Sequence, residues 1–366
     1  LYSLVMGFSM SELHVVNDHG VRLLSLNGGG ARGMFTISVL AEIERILASK
    51  HPDQEIRIGD YFDLITGTSI GGILALGLAK GKSARELECV FLDKANDIFP
   101  PRWWLFNLLK SLVAPIYSSK PLRQTIETMI GGETTFKDLA RRVMVPAVNL
   151  STGKPQFFKT PHNPDFTRDG ALKLIDAALA TSAAPTYFAP HHCEDLGSYF
   201  ADGGLVANNP SYIGLLEVFK DMKSDFPDVA HKDIHILNIG TTGEEYSLSP
   251  RLLSKKWWNG YCRLWGVGKK LVLTTMTANQ HLHKNMLLRE LTLHGASDNY
   301  TSLDEVIPNE AASDITLDNA TKSSIENLSA RGRQLATVQF AQNQKLKSFF
   351  TTPAKPFKRA IAQEKL

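Results

Sequence analysis

At 366 residues with 43% hydrophobic side chains, the chain can bury one large core, either as a single domain or as one domain with an extension. Its formal charge of +3 avoids repulsion from an anionic bilayer but falls far short of a nucleic-acid-binding domain, so no nucleic acid is expected as a partner. Three cysteines, Cys89, Cys193 and Cys262, are too few and odd in number for a disulfide framework and favour a reducing compartment.

The opening Leu1–Ser9 has no basic n-region and no initiator Met. It reads as a remnant ahead of Met10 rather than a secretory signal, and residues 1–20 are set apart as an N-terminal segment. Val21–Leu26 is a short apolar run of strand formers, followed at once by Asn27-Gly28-Gly29-Gly30-Ala31-Arg32-Gly33. Met34, Ile37, Leu40, Ala41, Ile43 and Leu47 then recur at helical spacing. The glycines therefore occupy a strand-to-helix turn, where bare amides near a helix N-terminus suit an anion. The chain has no G-x-x-x-x-G-K-[ST], and residues 27–33 lack the G-x-G-x-x-G spacing of a dinucleotide turn. An oxyanion hole or a bare structural turn remains.

Phe62–Thr66 reads as a second strand and Gly71–Lys80 as a largely buried helix stopped near Gly81. Between them lies Gly67-Thr68-Ser69-Ile70-Gly71, a G-x-S-x-G whose small residues suit a nucleophile elbow. Ser69 is then either an exposed nucleophile or a plain helix N-cap. Ser83-Ala84-Arg85-Glu86 forms a capping box. Pro100–Lys110, with Trp103, Trp104 and Phe106 between prolines and basic residues, suits a lid or interfacial segment as well as a buried helix. Gly131 and Gly132 end the helix that begins near Pro121, and Asp169 is expected to cap the one through Ala180.

Further on, Asp202-Gly203-Gly204 is a third glycine-centred motif and supplies a carboxylate. Strand-like and helix-like segments alternate to about residue 245, which predicts an α/β fold with a central, mainly parallel sheet covered on both sides by helices. From Arg251 to Lys270, basic residues interleave with Trp257, Trp258, Tyr261 and Trp265. That pattern suits an anionic headgroup, a nucleotide, a subunit contact or a solvated amphipathic helix. Residues 246–366 show helical patterning and a basic tail at Lys355–Arg359, read as a mostly helical cap, regulatory or oligomerisation extension packed on a catalytic domain of residues 21–245.

Ser69, Asp202 and the glycine run together supply a nucleophile, a proton acceptor and an oxyanion cradle. A Ser–His–Asp triad is the rival arrangement, with His231, His235, His281, His283 and His294 downstream of Asp202 but none in a recognisable setting. His191-His192-Cys193 and His281-Leu282-His283 offer ligand atoms without a spaced four-ligand set, so no metal is expected. No apolar run reaches the length of a membrane span.

These motifs, with Val143–Gly153, Ala177–Pro190, Asp202–Pro210 and Ile236–Gly243 in the same order, resemble the patatin-like phospholipase family. The resemblance implies a three-layer α/β/α fold and a lipid acyl hydrolase. Ser69 would be the nucleophile, Asp202 its partner in a histidine-free dyad, and the amides of Gly28, Gly29 and Gly30 the oxyanion hole. Arg32 would either orient a lipid phosphate or prop the loop, and Asn27 stands where many members have Asp. The expected substrate is membrane glycerophospholipid, met peripherally at the inner face from the cytoplasm, with no cofactor. Length and the Asn27-type loop are similar to bacterial anti-phage phospholipase effectors, which implies a cyclic dinucleotide as allosteric activator and a homo-oligomer as a candidate assembly. A non-catalytic lipid- or nucleotide-binding module on the same fold, and a Ser–His–Asp carboxylesterase, stand as alternatives.

Overall fold

The computed structural model describes residues 20–100, 114–243, 253–254, 264–306 and 316–357. Leu1–Ser9, nearly all of Pro100–Lys110, most of Arg251–Lys270 and the last two residues of the Lys355–Arg359 tail lie outside the described residues.

Strands β1 (Val21–Leu26), β2 (Leu64–Gly67), β3 (Arg142–Asn149), β4 (Lys154–Lys159), β5 (His191–Cys193), β6 (Ser198–Asp202), β7 (Ile234–Ile239) and β8 (Tyr300–Leu303) form one sheet. Its order is β5-β6-β3-β2-β1-β7-β8, with β4 also paired to β3. From β3 through β2, β1 and β7 to β8 the pairing is parallel; β4, β5 and β6 add antiparallel pairs on the other flank. All of β1 is buried, as a central strand covered on both faces must be. Its side chains alternate, Leu24 and Leu26 into one apolar cluster and Val21 and Leu23 into the other.

The helices are α1 (Gly33–Lys50), α2 (Ile70–Ala79), α3 (Ala84–Ile98), α4 (Ser119–Ile130), α5 (Leu174–Thr181), α6 (Gly204–Ala207), α7 (Ser211–Asp221), α8 (Lys269–Leu293), α9 (Lys322–Gln342) and α10 (Gln344–Ser348). The larger cluster joins α1 to α5, α9 and α10 to one face of the sheet, and the smaller joins α7 and α8 to the other. The result is a three-layer α/β/α architecture. Every residue of α2 is buried, which its near-absence of polar side chains requires. Among the described residues no helix is long and apolar enough to cross a membrane.

Local punctuation follows the expected chemistry at two helices and departs from it at a third. The Ser83–Glu86 box caps α3 in both directions, and α4 stops at Gly131 in a positive-φ conformation (78°). Asp169 does not cap α5. That helix begins only at Leu174, too far along for Asp169 to reach its first-turn amides, and the carboxylate instead accepts from the Lys159 amide at 3.0 Å and pairs with Arg168.

The structure also differs from a core that ends at residue 245. β8 extends the sheet beyond β7, and α9 packs so closely on α1 that a Cβ added at Gly332 would lie 2.6 Å from the Phe35 carbonyl oxygen. Arg22 on β1 donates through Nη1 to the carbonyls of Phe349 and Thr352 at 2.9 and 2.6 Å. Phe350 in turn stacks edge-on against Tyr61 and Phe62. The apolar residues of the C-terminal stretch thus complete the main core. Four residues of strand are too short to show a period of two within a helical pattern.

Candidate active site

The first two motifs meet where β1 and β2, hydrogen-bonded neighbours, both run into helices. Ser69 lies between β2 and α2 with φ 54° and ψ −125°, a strained conformation that presents a side chain at the tip of the turn. The turn is too tight for side chains around it. A Cβ at Gly67 would stand 2.1 Å from the Gly71 oxygen, and one at Gly71 would stand 2.4 Å from the Leu26 oxygen. Ser69 is the residue before α2, yet its side chain makes no capping hydrogen bond. Its hydroxyl donates to Asp202 Oδ2 at 2.8 Å.

Asp202 ends β6 and is 1% exposed. Its other oxygen, Oδ1, accepts from the Gly204 amide at 2.6 Å. Burial pushes the carboxyl up to about 7, against the opposing pull of the Gly204 amide and the Ser69 hydroxyl. Thr181 braces both partners: its hydroxyl accepts from the Ser69 amide at 3.0 Å, and its carbonyl accepts from the Gly203 amide at 3.1 Å.

The glycine loop lies alongside. A Cβ at Gly28 would be 3.4 Å from Ser69 Cβ. Asn27 anchors the loop through its own side chain, Oδ1 accepting from Asn238 Nδ2 at 2.8 Å. The Gly28 carbonyl accepts from the Thr241 hydroxyl at 3.1 Å. Of the three expected oxyanion donors, the Gly28 amide is engaged, donating to the Asn208 carbonyl at 3.0 Å. The amides of Gly29 and Gly30 have no acceptor among the described residues.

Ser69 and Asp202 open onto a narrow apolar pocket of about 40 Å³ whose walls include Ile73, Phe91, Ile98, Leu122, Phe188 and Met276. Among the described residues no histidine lines it. His235 faces the Phe349 ring from β7, His281 and His283 are on α8, and His162 is buried against Glu217. Arg32 is buried on the wall of a second, polar pocket, where burial raises the carboxyl of Asp304 and the Glu305 and Thr242 amides and the Arg32 charge oppose that rise. It does not line the Ser69 pocket.

Among the described residues, the grouping able to hold a metal ion is His231, Glu290 and His294, with both imidazole Nε2 atoms on Glu290 Oε1 at 3.1 and 3.5 Å. It touches neither pocket. Its members come from the turn before β7 and the end of α8, a separation that hides it in the sequence. His191 of the expected His-His-Cys run pairs instead with Asp176 at 2.9 Å. Thr181 and Asn208, the brace and the occupant of the Gly28 amide, were not singled out by motif reading. Both lie inside the stretches that carry the family resemblance, which was the available signal.

Comparison with known proteins bears on the same residues. The patatin-like phospholipase family model matches residues 24–213. The chain is 81% identical over 357 residues to the "cGAMP-activated phospholipase" of Escherichia coli, covering 98% of this chain and 100% of that protein. It is 65% identical over 351 residues to the protein of the same name from Vibrio cholerae, covering 94% and 98%. Among solved structures it is similar to VipD from Legionella pneumophila, with a TM-score of 0.35 and 13% identity over 85% of this chain and 67% of that one. A family match spanning elbow, acid and glycine loop, and relatives alike from end to end, make this chain a member of the patatin-like phospholipase family.

Proposed function

We propose that the protein is a serine lipid acyl hydrolase that cleaves the fatty-acyl esters of membrane glycerophospholipids, with Ser69 as nucleophile and Asp202 as general base, and that a cyclic dinucleotide switches it on. The observation that carries the reading is the 2.8 Å hydrogen bond from Ser69 Oγ to a buried carboxylate at the mouth of an apolar pocket. Asp202 in its ionised form takes the hydroxyl proton as Oγ attacks the ester carbonyl, and the oxyanion is met by the free amides of Gly29 and Gly30. Protonated Asp202 then returns the proton to the departing lysolipid oxygen, leaving the acyl chain on Ser69 and in the apolar pocket. A water that gives its proton to Asp202 attacks the acyl-enzyme, and the proton passes back to Ser69 as the fatty acid leaves. One group serves as both base and acid because burial holds its pKa at about 7, near the working pH.

The names of the relatives at 81% and 65% identity support the activator clause. In this reading the enzyme works peripherally at the cytoplasmic face of the membrane, as a nucleotide-triggered effector in defence against phage. The test is mass spectrometry of mixed phospholipid vesicles with and without a panel of cyclic dinucleotides that includes cGAMP. Release of lysolipid and fatty acid only with one nucleotide is expected; constitutive release would remove the activator clause. Failure of a fluorophosphonate to label Ser69 in an activated preparation would favour a non-catalytic binding module.

A further inference from the structure

Outside both pockets, three ionisable side chains from distant parts of the chain converge near the surface. His231 lies in the short turn ahead of β7, Glu290 in the last turn of α8 and His294 at the C-terminal cap of that helix. Glu290 Oε1 faces the Nε2 atoms of His231 and His294 at 3.1 and 3.5 Å, and the three donor atoms all lie within 4.8 Å of one another. Zinc bonds of about 2.0–2.2 Å to nitrogen and oxygen place tetrahedral ligand atoms about 3.3–3.5 Å apart. Both nitrogen–oxygen separations are close to that edge.

The backbones that carry the three side chains are fixed by contacts of their own. Gly295 follows His294 in the left-handed region at φ 66°, and the Ala296 amide donates back to the Leu291 carbonyl at 2.8 Å, so α8 ends at a defined place. Asn299, just beyond, ties that end to the turn before β7 by donating through Nδ2 to the Lys232 carbonyl at 2.8 Å. Asp233 closes the turn from its other side, Oδ2 accepting from the Ala230 amide at 3.0 Å. Phe219 of α7 packs on the His231 ring with centroids 4.2 Å apart, and Leu287 and Leu291 anchor the same stretch of α8 in the core. Side-chain exposure climbs from 18% at His231 through 31% at Glu290 to 48% at His294, so one side of the cluster is open for an ion and a water ligand to enter.

We propose that His231, Glu290 and His294 bind one divalent transition-metal ion of the zinc type, and that the ion pins the end of α8 to the turn before β7. Two imidazole nitrogens and a carboxylate oxygen are a donor set for zinc and its first-row neighbours, whereas calcium and magnesium take oxygen. Each imidazole ligates through the lone pair of Nε2 with its proton on Nδ1. The two rings are stacked almost parallel, with 3.6 Å between centroids and 6° between planes, so coordination splays them. His294, half exposed at the helix end, is the ring with room to turn. Water completes the fourth position. The ion is a staple and not a catalyst, because none of its ligands lines the Ser69 pocket. The helix it holds is the one that places Met276 on that pocket's wall.

The test is isothermal titration of the chelator-treated full chain with zinc chloride, beside thermal unfolding with and without the ion, for wild type, His294→Ala, Glu290→Gln and His231→Ala. His294→Ala is the decisive variant, since the side chain is half exposed and its Tm without zinc should match that of wild type. Wild type is expected to bind zinc and to gain a few degrees in Tm at about a hundredfold excess of free ion over its Kd. Each variant is expected to weaken the Kd by about 10- to 100-fold or more and to lose the Tm gain, since even groups that only support a metal's ligands are worth that much. Cobalt in place of zinc should give a visible d–d absorption in wild type that His294→Ala loses. A wild type that binds no zinc would overturn the site. So would binding and a Tm gain of equal size in all three variants, which would assign the ion to other histidines of the chain.

Discussion

The Ser69 hydroxyl and the Asp202 carboxylate lie 133 residues apart in the chain and are joined by a 2.8 Å hydrogen bond in a site from which water is largely excluded. Their joint role requires that removing either one stop turnover without unfolding the protein. Ser69→Ala and Asp202→Asn are each expected to lower activated vesicle hydrolysis by about three orders of magnitude or more, with circular dichroism unchanged. His235→Ala is expected to stay within about twofold of wild type, since its ring packs against Phe349 and surface or packing substitutions cost little chemistry. Loss of activity in the histidine variant with retention in Asp202→Asn would restore the carboxylesterase triad.

Acid–base behaviour follows from the burial of Asp202. Its carboxyl rises from an ordinary 3.8 to about 7, and only the ionised form can accept the Ser69 proton. The expected kcat/KM therefore climbs with pH as one ionisation and levels above about 7. A profile flat from pH 5 to 8 would contradict the assignment.

The same shift has a signed consequence for stability. The native state holds this proton more tightly than the unfolded chain, so the stabilising contribution of protonated Asp202 is complete below 3.8 and is lost as pH rises toward about 7. Asp202→Asn carries no such ionisation. Its Tm relative to wild type should move in the variant's favour between pH 5 and pH 8, a trend that thermal unfolding at the two pH values measures directly.

Crowding at the elbow predicts a sharp positional contrast among glycines. Gly71→Ala would press a methyl to 2.4 Å from the Leu26 oxygen and 2.7 Å from the Asn27 oxygen, both backbone atoms. It should cost about 3 kcal/mol or more and abolish activity. Gly153→Ala meets nothing within 4 Å and carries only the strain of its φ of 69°, so about 1–2 kcal/mol is expected with activity kept. Denaturant melts and vesicle assays of the pair check both statements.

Phe350 gives the C-terminal segment a measurable role in stability. It is 6% exposed and packs on Tyr61, Phe62 and Phe340. Phe350→Ala should destabilise by about 3–5 kcal/mol and lower the urea midpoint. A midpoint unchanged from wild type would mean that the last helices are dispensable to the core.

Much of the site's local geometry was legible in residue order, because its requirements are local. A strand followed by G-x-S-x-G and a buried helix leaves the backbone at Ser69 little choice, and Ser83 to Glu86 carries its capping box within four residues. Asp169 shows the limit: a capping residue type was present, but the helix start depended on packing several residues further along. β8 shows another, since a four-residue strand added to a sheet edge has no sequence pattern of its own and is chosen by the unpaired groups of β7.

By itself, then, the sequence determined the pieces: a nucleophile on a tight turn, an acid far along the chain, a run of bare amides, and a chain that alternates strand and helix. Only the tertiary structure decided that Asp202 is buried enough to hold a proton near neutrality, that Thr181 braces both catalytic partners, and that Asn208 occupies one of three candidate oxyanion amides. Those outcomes depend on solvent exclusion and on hydrogen bonds between residues far apart in the chain. Neither is a property of any short stretch of residues; both arise when the sheet brings the ends of β1, β2 and β6 together.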